Sequence, residues 1–191
     1  MNKAAIEKKE IKRWWDFKRQ LRWKDIYNKK DYSSLALNNR MKIILQYFVK
    51  FNFKKIKVLE IGFGGGQLAY EIIKKKHKYT GIDISNKLTK IAKQRCSSLS
   101  NNEYLFKVGT IEKPLQFKKS SFDLVIVAGV LQYALKPNFV FNEIFRVLKK
   151  NSIFICAQTN FLVLRNFFKV RSFINRLYCV LANEKYEISN S

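Results

Sequence analysis

The run Val58-Leu59-Glu60-Ile61-Gly62-Phe63-Gly64-Gly65-Gly66-Gln67 sets an acid and four glycines against a short aliphatic stretch, and a second acid, Asp83, closes the next one. Glycines at this density let a strand turn sharply into a helix. With no Cβ in the way, the backbone of the turn can approach a bound ligand closely. A turn of this kind, answered by a carboxylate at the end of the following strand, handles a nucleotide.

The details separate two kinds of nucleotide cofactor. A dinucleotide site places glycines at the first, third and sixth positions, for the tight turn, the approach to pyrophosphate and the packing of helix on strand. Here the sixth position is Gln67, and Glu60 stands two residues before the first glycine. A carboxylate at the mouth of the turn repels a pyrophosphate but suits a ligand with a sulfonium or ammonium charge. The pattern therefore favours S-adenosyl-L-methionine.

From about Trp23 to Thr159 the chain resembles the class I S-adenosylmethionine-dependent methyltransferases, particularly the small-molecule group, whose first motif is an acid followed by alternating glycines. The resemblance implies that Glu60, Gly62, Gly64 and Gly66 belong to the cofactor-binding turn. It implies that Asp83 accepts both ribose hydroxyls and that Ile84 lies against the adenine. Gly109-Thr110-Ile111 matches the loop that clamps the base, where the family usually has Asp in place of Thr110; the Ile111 backbone N–H would donate to a ring nitrogen. Residues from Ala128 onward would line the methionine moiety, and a His often stands where Gln132 or Tyr133 stands here. Tyr27 and Tyr32 are similar to an aromatic segment that folds over the cofactor, and Arg40 to a basic residue of the next helix. Plain packing is the alternative for all three.

The elements that must position these residues follow from periodicity. Runs rich in β-formers at 57–61, 79–84, 104–108, 122–128 and 152–158 alternate with helical patterns at 67–75, 86–97 and 139–148. Such alternation predicts parallel strands joined by crossover helices, a doubly wound, Rossmann-like α/β fold with helices on both faces. Ser85 is better placed than Asp83 to cap the helix at 86–97. A helix over 37–51 would bury Met41, Ile44, Leu45, Phe48 and Val49 on one face. Residues 1–30 read as basic helices with three tryptophans. After Thr159 the pattern reads as a helix with one polar stripe, Arg165, Lys169, Ser172 and Arg176, and the strand hairpin that usually closes the family's sheet is not recognisable. The expected organisation is one globular domain: a helical cap at 1–52, the cofactor-binding core at 53–160 and a basic amphipathic helix at 161–191.

Composition bounds the remaining readings. The chain has 191 residues and 47% hydrophobic content, enough for a single substantial core. No apolar run reaches the ~18 residues of a membrane span, and the chain opens with charged residues, so a cytoplasmic setting is expected. Three scattered cysteines and one histidine, His77, assemble no metal site, and His77 in its lysine-rich loop should face solvent. The net charge of +24 suits phosphates. Lysine far outnumbers arginine, however, and Asn, Ile, Phe and Tyr are abundant, as an AT-rich coding sequence would produce. Nucleic acid and an anionic membrane surface stay open as partners, and oligomeric state is open.

The expected function is methyl transfer to a small-molecule or lipid-like acceptor. Displacement at an activated sulfonium relies mainly on positioning, so the lack of a recognisable acid–base pair does not count against an enzyme. No catalytic residue can be named, and Asp123 reads as structural. The alternatives are an RNA or protein methyltransferase, supported by charge alone, and a degenerate cofactor-binding module, suggested by Thr110 and the missing hairpin.

Overall fold

The computed structural model describes Arg13 and residues 32–99, 102–159 and 175–181. Five strands run parallel: β1 (Lys57–Ile61), β2 (Lys78–Asp83), β3 (Tyr104–Val108), β4 (Phe122–Ala128) and β5 (Leu148–Thr159). A sixth, β6 (Asn175–Leu181), pairs antiparallel with β5, and the sheet order is β3-β2-β1-β4-β5-β6. The order reverses between β1 and β4, which opens a crevice at the carboxyl ends of these two strands.

Helices cover both faces, as the alternating pattern requires. On one side lie α1 (Tyr32–Lys50), α2 (Gln67–Lys74) and α3 (Asn86–Arg95), which contribute Ile44, Phe48, Leu68, Ile72, Ile73 and Ala92 to a core shared with Val58, Leu124 and Ile126. On the other, α4 (Pro137–Val147) buries Val140, Ile144 and Val147 against Leu59, Val125 and Phe154. Each begins where local chemistry allows. Ser85 caps α3 by accepting the Leu88 N–H, as expected, and Pro137 opens α4, where its missing N–H costs nothing. On α1, Ile44 and Phe48 are buried as the periodicity predicts, whereas Val49 is 75% exposed and lies outside the apolar face.

Two expectations need correction. Residues 175–181, assigned to a C-terminal helix, form β6. Seven residues rich in Leu, Tyr, Cys and Val fit either period, and pairing with β5 from Ile153 to Thr159 decides the matter. A second strand completing a hairpin with β6 is not found among the described residues; the rest of 161–191 and the segment 1–31, with Tyr27 and the tryptophans, lie outside them save Arg13. His77 is buried, not exposed. Its ring packs on Phe48 of α1, with centroids 5.2 Å apart, and its Nδ1 accepts the Ile56 N–H at 3.4 Å. Burial, then the charge of Lys75, holds its imidazole below the ordinary histidine value, against an opposing hydrogen bond to the Lys54 backbone. Asp123 is structural as expected: it accepts the Lys57 N–H at 2.8 Å and the Lys149 ammonium at 2.6 Å.

Candidate functional site

A cavity of about 220 Å³ opens at the carboxyl ends of the strands. The glycine turn forms one wall. Gly62 has φ of +81° and donates its N–H to the Ile82 carbonyl at 2.7 Å, which draws the turn across the end of β2. A Cβ at Gly62 would lie 2.1 Å from Val130 Cγ2, so only glycine fits between this turn and the loop after β4. Gly66, at φ +77°, starts α2, and a Cβ there would meet Ala92 of α3 at 2.7 Å. Its role is packing helix on helix, and it does not line the cavity. Arg95 steadies the turn from α3, donating its Nε–H to the Gly65 carbonyl at 2.8 Å.

Asp83 is buried at the cavity wall. Its Oδ2 accepts the Gly64 N–H and its Oδ1 the Ser85 N–H, both at 2.9 Å. The carboxylate thus pins the glycine turn to the start of the next loop.

Beside it, Ile84, Leu88 and Ile111 supply apolar surface, and Gly109 and Thr110 the floor of the loop after β3. Gly109 is tied by its N–H to the Asp83 carbonyl at 2.8 Å. The Thr110 hydroxyl accepts the Glu112 N–H at 3.2 Å, holding the turn in which Ile111 sits. Glu112 reaches across and accepts the Leu135 N–H at 2.8 Å, joining the two loops that face each other over the cavity. The base of the loop is fixed to α4, where Arg146 donates to the Leu115 and Phe117 carbonyls, both at 2.8 Å, and pairs with Glu143.

The opposite wall comes from α1 and the segment after β4. Leu37 and Arg40 of α1 face Ala128, Gly129, Val130, Gln132 and Tyr133. A Cβ on Gly129, which has φ of +72°, would lie 2.8 Å from Arg40 Nη1. The Arg40 guanidinium is thereby brought against the chain at the end of β4.

Glu60 stands near the carboxyl end of β1, beside the glycine turn. It points to the α1 side of the sheet, where it lines a small adjoining cavity with Arg40, Gly62 and Ala128, not the larger one. There its Oε2 accepts the Tyr79 hydroxyl at 2.7 Å. Burial pushes the Glu60 carboxyl up to about 7; the Tyr79 hydrogen bond and the charge of Arg40 oppose that rise, and Asp83 adds to it. Burial, then the Glu60 charge, likewise lifts the Tyr79 hydroxyl well above its usual value.

Of the residues read from sequence, Gly62, Gly64, Asp83, Ile84, Thr110, Ile111 and Ala128 line one cavity, with Arg40, Gln132 and Tyr133, while Glu60 and Gly66 stand behind it. Sequence reasoning missed Leu37, Leu88, Glu112 and Leu135, because no local pattern announces that a helix 20 residues upstream, or a loop tip, closes a wall. The donor set fits an adenosyl cofactor: a buried carboxylate, an apolar slot and glycine backbone share one wall, with a guanidinium opposite.

Comparison with known proteins places the chain in a family. A family model described as a methyltransferase domain matches residues 52–183. The chain belongs to that family, with the fold of the class I S-adenosyl-L-methionine-dependent methyltransferases, and it spans from a twentieth to about two thirds of the length of the first curated relatives it matches. It is 28% identical over 166 residues to the ubiquinone biosynthesis O-methyltransferase of Pelagibacter ubique (strain HTCC1062), covering 84% of this chain and 66% of that protein. It is 30% identical over 124 residues to the probable polyketide synthase 42 of Dictyostelium discoideum, covering 55% of this chain and 5% of that protein. Among solved structures, magnesium protoporphyrin IX methyltransferase from Synechocystis PCC 6803 with bound SAH superposes with a TM-score of 0.72 at 16% identity, over 85% of this chain and 76% of that one. That likeness shows the fold.

Proposed function

We propose that this chain transfers a methyl group to a small molecule with an apolar, lipid-like frame. The observation that carries the reading is the single cavity in which Asp83, the Gly62–Gly64 turn and the Ile84–Ile111 slot stand opposite Arg40 and the Ala128–Tyr133 segment. Bound S-adenosyl-L-methionine supplies a methyl group already activated on a sulfonium.

The residues then divide the work. Asp83 accepts the ribose hydroxyls, Ile84 and Ile111 flank the adenine, and Thr110 accepts from its amino group with the lone pair that Glu112 leaves. Arg40, whose guanidinium stands against Gly129 at the end of β4, suits a carboxylate. Val130, Tyr133 and Leu135 offer the acceptor an apolar surface that excludes water, and holding it at near-attack distance supplies the acceleration. Names among the relatives that point to ubiquinone biosynthesis and to a porphyrin support a small acceptor over RNA or protein. The net charge of +24 is compatible with work beside an anionic membrane from the cytoplasmic side.

Calorimetry with S-adenosyl-L-methionine tests the reading. Binding is expected, and Asp83→Ala should weaken it by about 2–3 kcal/mol through loss of charge-assisted hydrogen bonds. No detectable binding by the wild-type chain at millimolar cofactor would leave a degenerate module in place of an enzyme.

A further inference from the structure

The five parallel strands put their amino ends on one edge of the sheet, opposite the cavity, and lysines gather there. Lys57 opens β1 and Lys78 opens β2, and the two are register partners. The strand order carries the row on through β4 to Lys149 of β5, whose ammonium meets Asp123 of β4 at 2.6 Å. The loops entering β1 and β2 add Lys54, Lys55 and the run Lys74–Lys76, all exposed. These loops are fastened side by side: the Lys78 N–H donates to the Ile56 carbonyl at 2.9 Å, and the buried His77 accepts the Ile56 N–H.

Few acids answer these lysines. Glu103 holds Lys55 at 3.3 Å and Lys78 at 2.6 Å, and Asp123 holds Lys149. Among the described residues, Lys54, Lys57, Lys74 and Lys75 have no carboxylate within ion-pair distance. Like charges crowded within a Debye length repel one another in the free chain, and a surface that keeps them is complementary to a polyanion. By contrast, the loops at the carboxyl ends, 62–66, 109–116 and 129–136, hold only Lys113 and Lys136. A biased composition supplies lysine; it does not gather it at one edge.

The kind of cation says which polyanion. The exposed charges here are ammoniums, while Arg146 at the end of α4 is occupied by Glu143 and two backbone carbonyls. Nucleic-acid surfaces use guanidinium forks and stacking aromatics, whereas a lipid surface presents a diffuse potential that hydrated point charges meet without fixed geometry. Val49, in the last turn of α1 beside Lys50, is 75% exposed and offers an apolar contact at such an interface.

We propose that this amino-end edge of the sheet docks on an anionic phospholipid bilayer, with the cofactor cavity at the opposite pole facing the aqueous phase. The edge is a tether. It touches neither cofactor nor acceptor, so the inference is independent of the methyltransferase reading above.

The test is sedimentation of the whole chain with vesicles of phosphatidylcholine containing about one third phosphatidylglycerol, against pure phosphatidylcholine. The wild-type chain should bind the anionic vesicles and not the neutral ones, with an affinity that falls steeply as salt is raised. The triple variant Lys54→Gln, Lys57→Gln, Lys74→Gln should bind on the order of 100-fold more weakly and melt at or above the wild-type temperature. A charge-matched variant on the exposed surfaces of α1 and α3, Lys42→Gln, Lys90→Gln, Lys93→Gln, should stay within about threefold of wild type. Affinity for S-adenosylhomocysteine should be the same with and without saturating anionic vesicles. No binding to anionic vesicles, equal binding to both lipids, equal losses in the two variants, or competition between vesicles and S-adenosylhomocysteine overturns the inference. So does polyuridylate that displaces the chain from vesicles at equal phosphate concentration, which would make nucleic acid the partner. The lipid arms need only wild-type protein, so they decide the matter even if a variant folds poorly. Failure to bind S-adenosylhomocysteine would overturn the methyltransferase reading and leave the lipid arms to decide this one.

Discussion

At the ends of β1 and β2 the polar groups of the site are tied to the fold: Gly62 N–H to Ile82, Gly64 and Ser85 N–H to Asp83, Gly109 N–H to the Asp83 backbone, and Tyr79 hydroxyl to Glu60. At the ends of β4 and β5 the wall is Ala128, Gly129, Val130 and Leu135, with Gln132 and Tyr133 beside them. The first region is organised before any ligand arrives. It loses little in reorganisation when it binds, which suits a ligand that never changes. The second offers mainly apolar surface, so its recognition is completed by the molecule that enters. The contrast separates a cofactor half from an acceptor half.

The sharpest way to break this division is at the joint. Gly62→Ala puts a Cβ at 2.1 Å from Val130 Cγ2 and at φ +81°. Left-handed backbone and overpacking together should cost about 3–4 kcal/mol in urea unfolding. Adding Val130→Ala should recover about 1–2 kcal/mol, leaving the backbone penalty; simple additivity of the two would mean that the halves do not touch there.

The next effect isolates the buried acid behind the cofactor half. The Glu60 carboxyl titrates near 7 in the folded chain against an ordinary 4.5, so its contribution to stability is fully present below pH 4.5 and lost as pH rises to about 7. The difference amounts to on the order of 3 kcal/mol. Glu60→Gln should remove that slope and be the more stable chain at pH 8, as read from urea midpoints at pH 4.5, 6 and 8. Parallel profiles for the two proteins would show that Glu60 is already ionised at low pH.

The smallest effect marks the other end of the sheet. Asp123→Ala removes the acceptor for Lys57 N–H and Lys149. In this half-exposed position it should cost about 1 kcal/mol of stability and leave S-adenosyl-L-methionine affinity unchanged. A fall in affinity would mean that the amino ends of the strands also set the geometry of the site.

Much of this was legible from residues alone where the cause is local. Ser85 was readable as the cap of α3 because a short hydroxyl before a helical run has few other roles. Asp83 was readable because it ends an apolar strand and follows a glycine turn. Thr110 and Ile111 were found through the loop motif. Glu60 was only half legible: its type and position were right, but the side of the sheet it faces depends on where Tyr79 and α1 lie. His77 was misread because its neighbours in sequence are lysines, while its neighbours in space are Phe48 and the Ile56 backbone.

The sequence by itself determined the order of strands and helices, the glycine turn and the class of cofactor, because periodicity and backbone freedom act over a few residues. Tertiary structure alone decided that Arg40 and Leu37 close the cavity, that Glu60 stands behind it and that 175–181 pairs as a strand. Each of these depends on which distant segment arrives alongside, and burial, charge and hydrogen-bond satisfaction have no value until it does.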